Sequence, residues 1–390
     1  MTAQRSAFVR QTGVGLVETM IGILIGMVVV LVVYNVFSLA EGYKRTTVAA
    51  ADAQTTGLYA QFVLSREIAN SGNGLSGAGG NLATCTFGDV NWPTPANFFA
   101  GPGARAVRPL AVLIRDGGGP NQSDSLIVTY STAPRVISPM LFVDKPMTAP
   151  GDKFYIQSPN GFRANDRVVV IGMNGNCELT LVTLVTPGDS VGNVATGIVG
   201  LSHPNTVNLY LPGGASDGSR LLNLGQQGEA TRTLFDVANG QLRTTDLFAA
   251  APAVPIAQNV VLMKAQYGID CAGNGVVVWT TATATNICGD GLNYTPDDFM
   301  PLAPALSGWN GPALARIRAI RIGVVVRSDE PDLKDAALTG QTAVLFDCST
   351  HNAACQGRTV LDNTVLTDFY RFRTYETIVP MINAIYNDGL

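Results

Sequence analysis

The chain has 390 residues, room for one large domain or two of medium size. Charged residues make up only 14%, against ~25% in an ordinary soluble domain. The formal net charge of −4 argues against bulk affinity for nucleic acid and leaves only local basic patches to consider.

The first element is the run "QTGVGLVETMIGILIGMVVVLVVY", residues 11–34, in which one carboxylate interrupts an apolar segment. From Val14 to Ala40 the only charged residue is Glu18, and Thr19 to Ala40 gives 22 uncharged residues in a row. A bilayer-spanning helix needs ~20, so a plain membrane anchor is one reading. A cleaved secretory signal is a second, with Arg5 and Arg10 before the apolar core and Ser38-Leu39-Ala40 as a small-residue site. Its core is far longer than such signals use. A twin-arginine signal fails because the two arginines are not adjacent.

A further reading accounts for Glu18. An ionised side chain in the bilayer core costs about 2.5–3.5 kcal/mol on insertion scales, so it needs a partner. A cut between Gly13 and Val14 creates an α-amine at Val14. Val14 and Glu18 stand four residues apart and share one helix face, and an acid in the first turn suits the helix dipole. In a bundle of such helices, Glu18 of one subunit meets the amine of its neighbour and fixes the axial register. A short basic leader, Gly13, four residues (Val14-Gly15-Leu16-Val17), Glu18 and a long apolar run together resemble the type IV pilin signature. Within it, "GLVETMIGILIGMVV" is most similar to the PilW family of minor pilins, with Val14 standing where that family has Phe.

No proline occurs from Val14 to Asn70, so one continuous helix is expected over 14–70, about 85 Å long at 1.5 Å per residue. Gly22 and Gly26 form a G-x-x-x-G pair that allows close helix approach in a membrane, although Gly is also common in such helices. Any softening is expected at Gly22, Gly26 or Gly42. Val48, Ala51, Thr55, Leu58 and Phe62 fall at three- and four-residue steps and make an apolar stripe. This second half is expected to pack against a globular head. The Gly-rich "NSGNGLSGAGGN", residues 70–81, ends the helix.

The head, residues 71–390, reads as strands and turns. Strands are expected at "DSLIVTYST" from Asp124, "DKFYIQ" from Asp152, "DRVVVIGM" from Asp166, "CELTLVTLV" from Cys177 and "VNLYL" from Val207. Two more are "RIRAIRIGVVVRS" from Arg316 and "FYRFRTYETIV" from Phe369. "TLFDVANGQLRTTDLF" from Thr233 is a hairpin, since Asn239-Gly240 suits a type I′ turn. "VVLMKAQYGIDCAGNGVVVWTT" from Val260 reads as a second. The expected fold class is α+β: a long N-terminal helix packed on a large, mainly antiparallel β head of one or two lobes.

Six cysteines beyond an export segment point to an oxidising compartment. They are Cys85, Cys177, Cys271, Cys288, Cys348 and Cys355. Many pairings are open to six cysteines. Loop-closure entropy favours Cys271–Cys288 and Cys348–Cys355, leaving Cys85 with Cys177.

Few residues suggest chemistry. Gly214-Ala215-Ser216-Asp217-Gly218 matches G-x-S-x-G, but it lies in a Gly-rich loop of a β head rather than at a strand-to-helix elbow. His203 and His351 are the two histidines, which leaves little for acid–base catalysis. Cys348, His351 and Cys355 have zinc-ligand spacing, with a local disulfide as the simpler reading. The turn Asp270 to Gly275 partly fits a calcium loop, but Ala272 stands where an oxygen ligand is wanted. Arg316, Arg318, Arg321, Arg371 and Arg373 fall on two expected strands. A solvated strand face is the plain reading, with a subunit interface or a DNA-contacting patch as alternatives. No enzyme activity, metal or cofactor is expected.

"SDSLIVTYST", "LFDVANGQLRTT", "QYGIDCAGNG", "IRAIRIGVVVRS" and "YRFRTYETIVPMINAIYN" also resemble the PilW family, in the same order along the chain. The resemblance implies a leader over 1–13, removal by a prepilin peptidase after Gly13 and methylation of Val14. It implies an inner-membrane helix with a periplasmic head, then a place in the pilus at the cell surface. The implied partners are other minor pilins, the major pilin and a tip adhesin, in a complex that starts pilus assembly. Nucleic acid is not an expected partner. The alternatives are a minor pseudopilin of type II secretion, or a membrane-anchored adhesin or enzyme whose helix never polymerises.

Overall fold

The computed structural model describes Gly13 and residues 15–77, 80–81, 111–117, 122–133, 140–141, 153–156, 161–171, 177–187, 199–202, 220–280, 287–289, 316–331, 343–346, 359–360 and 369–384. One 55-residue helix, Leu16–Asn70, opens the described chain. By internal contacts the chain divides into two units, Met1–Asp52 and Ala53–Leu390. The helix contributes its first part to one unit and its last turns to the other.

The helix starts where Gly15 leaves its carbonyl free to accept from the N–H groups of Glu18 at 3.0 Å and Thr19 at 3.1 Å. It stops at Asn70, where Gly72 and Gly74 take the left-handed conformation, at φ 80° and 70°. The turn is tied to the head at once. Gly72 N–H donates to Thr129 O at 3.0 Å, and Ser131 N–H donates to Asn73 O at 2.7 Å.

Two antiparallel sheets organise the head. The first has five strands in the order Val254–Gln258, Gln241–Asp246, Ala230–Ala238, Ser125–Ser131, Val112–Arg115. Asn239 and Gly240 both have positive φ, 54° and 70°, and close the hairpin expected at that dipeptide. The second, C-terminal sheet has the order Val277–Trp279, Val260–Asp270, Ile317–Arg327, Phe372–Pro380. Its two central strands are buried over nearly their whole length, which explains their continuous apolar character.

A smaller sheet orders Met140–Leu141, Arg220–Gly225, Arg167–Ile171 and Cys177–Leu181. A three-stranded one orders Phe154–Ile156, Val199–Ser202 and Leu184–Pro187. The segment from Cys177, expected as one strand, is therefore two. The break falls at Val182, which is fully buried and exchanges backbone hydrogen bonds with Asn165 and Asp166. The chain passes there from one sheet to the next. The strand expected from Val207 lies outside the described residues. The expected α+β class, a long helix with a mainly antiparallel β head, is the observed one.

The helix meets the head through a different face from the expected stripe. Ala53, Ala60, Leu64 and Ile68 are buried, and Leu64 and Ile68 join the main core with Leu126, Phe235, Tyr267 and Ile320. Gly57 lies on the same face, where any Cβ would overlap the Tyr375 ring of the last strand. Leu58 and Phe62 are more than half exposed, as is Val48. The buried positions fall two residues further along the chain than the expected ones, which at 3.6 residues per turn is nearly the opposite side of the helix. Small residues let the sheet approach the helix closely, and that outweighs the larger apolar residues on the far side.

Polar contacts lock this docking. Tyr130 Oη donates to Glu67 Oε2 at 2.8 Å, and Arg66 Nη2 donates to Glu67 Oε1 at 2.8 Å. Gln61 Nε2 donates to Glu376 O at 2.8 Å, and Asn383 Nδ2 donates to Ala69 O at 3.1 Å. Burial, then the bond to Glu67, pushes the Tyr130 phenol up to about 12 from its ordinary 10.0. The neutral phenol is the form that donates. Its contribution is therefore whole below the unfolded value and is lost as pH rises from 10.0 towards about 12. Tyr130→Phe should cost about 1.5–3 kcal/mol, the range for a bond to a charged acceptor. It should also flatten the alkaline limb of the stability profile, both read by urea unfolding across pH.

Candidate functional site

The N-terminal part of the helix carries the densest group of residues singled out from sequence. Among described residues from Leu16 to Leu39, every large apolar side chain is exposed. The helix is long and apolar enough to cross a membrane, by length and composition. Glu18 occupies the first turn, at the positive end of the helix dipole. Gly22 and Gly26 follow at four-residue steps, so Glu18, Gly22 and Gly26 lie along one side of the helix. A Cβ built at either glycine meets nothing within 4 Å, which leaves a shallow strip beside the acid. Gly13 is exposed, and Val14 lies outside the described residues. What this arrangement offers is an apolar surface with one anionic point near its end, suited to another helix bearing a cation at matching height.

The remaining candidates sort differently. Asp270 heads the turn read as a partial calcium loop, but its carboxylate already serves the chain. Oδ1 accepts from Asn274 N–H at 3.1 Å and Oδ2 from Gly275 N–H at 3.0 Å. Burial would raise its pKa, yet amide donation from Gly275, Asn274 and Gly273, with Arg318 nearby, holds the carboxyl below the usual range. The group therefore organises the turn. Next to it Cys271 and Cys288 form a disulfide across 17 residues. Cys85, Cys348 and Cys355 lie outside the described residues, as do His203, His351 and the segment 214–218. Of Cys177 only the backbone is described. Among the described residues no three His, Cys, Asp or Glu side chains gather into a metal-binding group.

The five arginines do not form one patch. Arg321 turns inward, its guanidinium 4.7 Å from the Trp279 ring and 4.3 Å from the Phe346 ring, with Nε donating to Gln266 Oε1 at 3.1 Å. Burial pushes its pKa down to about 10. Arg318 faces Asp270 at 3.8 Å. Arg373, opposite Val326 across the strand pair, is exposed. Sequence reading gave no sign of Arg321 as a core residue; the Trp and Phe that sandwich it are brought together only by the fold.

Two strand pairs and the disulfide turn fall inside a segment that is recognisable by comparison with known families. Residues 224–383 match the family model of PilW, type IV pilus-assembly protein W. The resemblance to the PilW family stands over this segment. The PilW-matching part takes in the Asn239-Gly240 hairpin, the Cys271–Cys288 turn and the strands Ile317–Arg327 and Phe372–Pro380. The "SDSLIVTYST" strand and the N-terminal helix lie outside it. Among solved structures the chain is similar to a type IV-like pilin from Thermus thermophilus, at 12% identity and a TM-score of 0.28, over 87% of this chain and 97% of that one. A search of curated proteins finds no match.

Proposed function

We propose that this chain is a minor pilin that takes part in starting type IV pilus assembly. The supporting observation is the conjunction in one chain of an unbroken exposed apolar helix with Glu18 in its first turn and a β head that matches the PilW family. The helix enters the inner membrane with the head on the periplasmic side. A prepilin peptidase removes residues 1–13, and the new amine of Val14 is methylated. Glu18 then pairs with the amine of a neighbouring subunit. In the dry interior of a helix bundle that pair discriminates strongly against other axial registers, because a shifted helix leaves both charges buried and unpaired.

In this reading the head works with other minor pilins to form the complex that carries a tip adhesin and receives the major pilin beneath. The chain acts by assembly and not by catalysis. Glu18→Ala tests the register role. The variant should insert into the membrane at the wild-type level and fall at least tenfold in sheared pili, measured by immunoblot of the two fractions. Equal incorporation of the variant would remove Glu18 from the docking role.

A further inference from the structure

Lys264 and Asp124 bring an amine and a carboxyl together inside the head. Lys264 lies midway along the Val260–Asp270 strand of the C-terminal sheet, and Asp124 immediately precedes the Ser125–Ser131 strand of the five-stranded sheet. Their side chains are 8% and 4% exposed, and Lys264 Nζ donates to Asp124 Oδ1 at 2.7 Å. The carboxyl is held on both oxygens. Gly117 N–H donates to Oδ1 at 3.0 Å and Ala265 N–H to Oδ2 at 2.8 Å. Asp124 N–H in turn donates to Met263 O at 2.8 Å, which fixes its backbone against the lysine strand. A second carboxyl, Asp116, stands 3.9 Å from the same Nζ and is also largely buried.

These are the parts needed to make an amide. The two groups are fixed in contact, which removes the entropic cost of bringing them together. Shielding from water narrows the gap between the ion pair and the neutral amine and acid formed by proton transfer. The two backbone donors face the oxygens on which negative charge grows as nitrogen adds to carbon. Burial pushes the Asp124 carboxyl up to about 6 against the opposing pull of Lys264, which favours the acid form. Asp116 is placed to exchange a proton with the nitrogen.

We propose that Lys264 and Asp124 condense into an intramolecular amide that ties the two main sheets together. The ammonium proton passes to the Asp124 carboxylate, and the neutral amine adds to Cγ. The Nζ–Cγ bond forms, a Cγ–O bond breaks and water leaves. Asp116 takes the second proton from nitrogen and returns it to the departing hydroxyl. One cation and one anion are consumed, no electrons are transferred, and no other reactant is needed.

Peptide mass spectrometry of the full chain tests it, after purification in detergent, reduction and trypsin digestion. Trypsin does not cut after an acylated lysine. The expected product is residues 116–135 joined to residues 244–316, lighter than their sum by one water and lost in Lys264→Arg. Recovery of unmodified 116–135 together with a free 244–264 peptide ending at Lys264 would overturn the amide. Asp116→Asn, checked for its fold by circular dichroism, should reduce the joined product at least tenfold. An undiminished yield would overturn the role given to Asp116.

Discussion

Lys264→Met should destabilise the head by about 3–5 kcal/mol relative to the uncondensed wild-type chain, the cost of stripping one partner from a buried charged pair. Methionine nearly matches the lysine stem in volume, so packing changes little. What changes is Asp124, which stays 4% exposed and keeps its amide donors but loses the cation at 2.7 Å. Even with Lys264 in place, burial lifts the uncondensed Asp124 carboxyl from the ordinary 3.8 to about 6. Without the lysine that rise should grow.

The sign of the pH dependence follows. An acid whose folded pKa lies above its unfolded one favours the folded state only while it is protonated. Its contribution is whole below 3.8 and declines as pH rises through the folded value of about 6. Lys264→Met should therefore lose more stability on going from mildly acidic to neutral buffer than the wild type does. Adding Asp124→Asn should recover much of the loss, since the amide oxygen still accepts from Ala265 N–H without carrying charge. Urea unfolding of the three proteins at two pH values checks both statements. A single variant with wild-type stability at neutral pH would show that the pair carries no energetic weight.

Leu64→Ala should cost about 2–5 kcal/mol, whereas Leu58→Ala should stay within about 0.5 kcal/mol. Both residues sit in the same stretch of helix and differ in the side they face. Leu64 is fully buried in the main core, while Leu58 is 51% exposed. Truncating Leu64 leaves a cavity against residues already fixed by strand pairing, so collapse around it is limited. Comparable costs at the two positions would mean that the helix docks through its other face.

That contrast marks where sequence reading succeeds and where it stops. The helix was legible because a proline-free stretch with a Gly-rich end has one simple meaning. The Asn239-Gly240 hairpin was legible because two left-handed residues between alternating strands leave few choices. Both are local signals. The buried face of the helix was not legible. Two stripes share it, and the larger apolar residues lie on the exposed one. Choosing between them needs the shape of the sheet, which Gly57 and Tyr375 fit together. The same applies to Asp124 and Lys264, 140 residues apart, and to Arg321 between Trp279 and Phe346. Each reads in sequence as an ordinary polar residue of a strand or loop, and acquires its role only when two sheets meet. In the N-terminal helix, Glu18 is conspicuous because a lone charge in an apolar run is costly wherever it is placed. Gly22 and Gly26 on the same side gain meaning from it.

If the apolar helix becomes part of a processed filament subunit, the N-terminal peptide of the chain reports it most directly. Pili sheared from the native cells, digested and examined by mass spectrometry, should yield this chain with a peptide beginning at methylated Val14. A chain found solely in the membrane fraction, with residues 1–13 still attached, would contradict the account and leave a membrane-anchored protein that does not assemble.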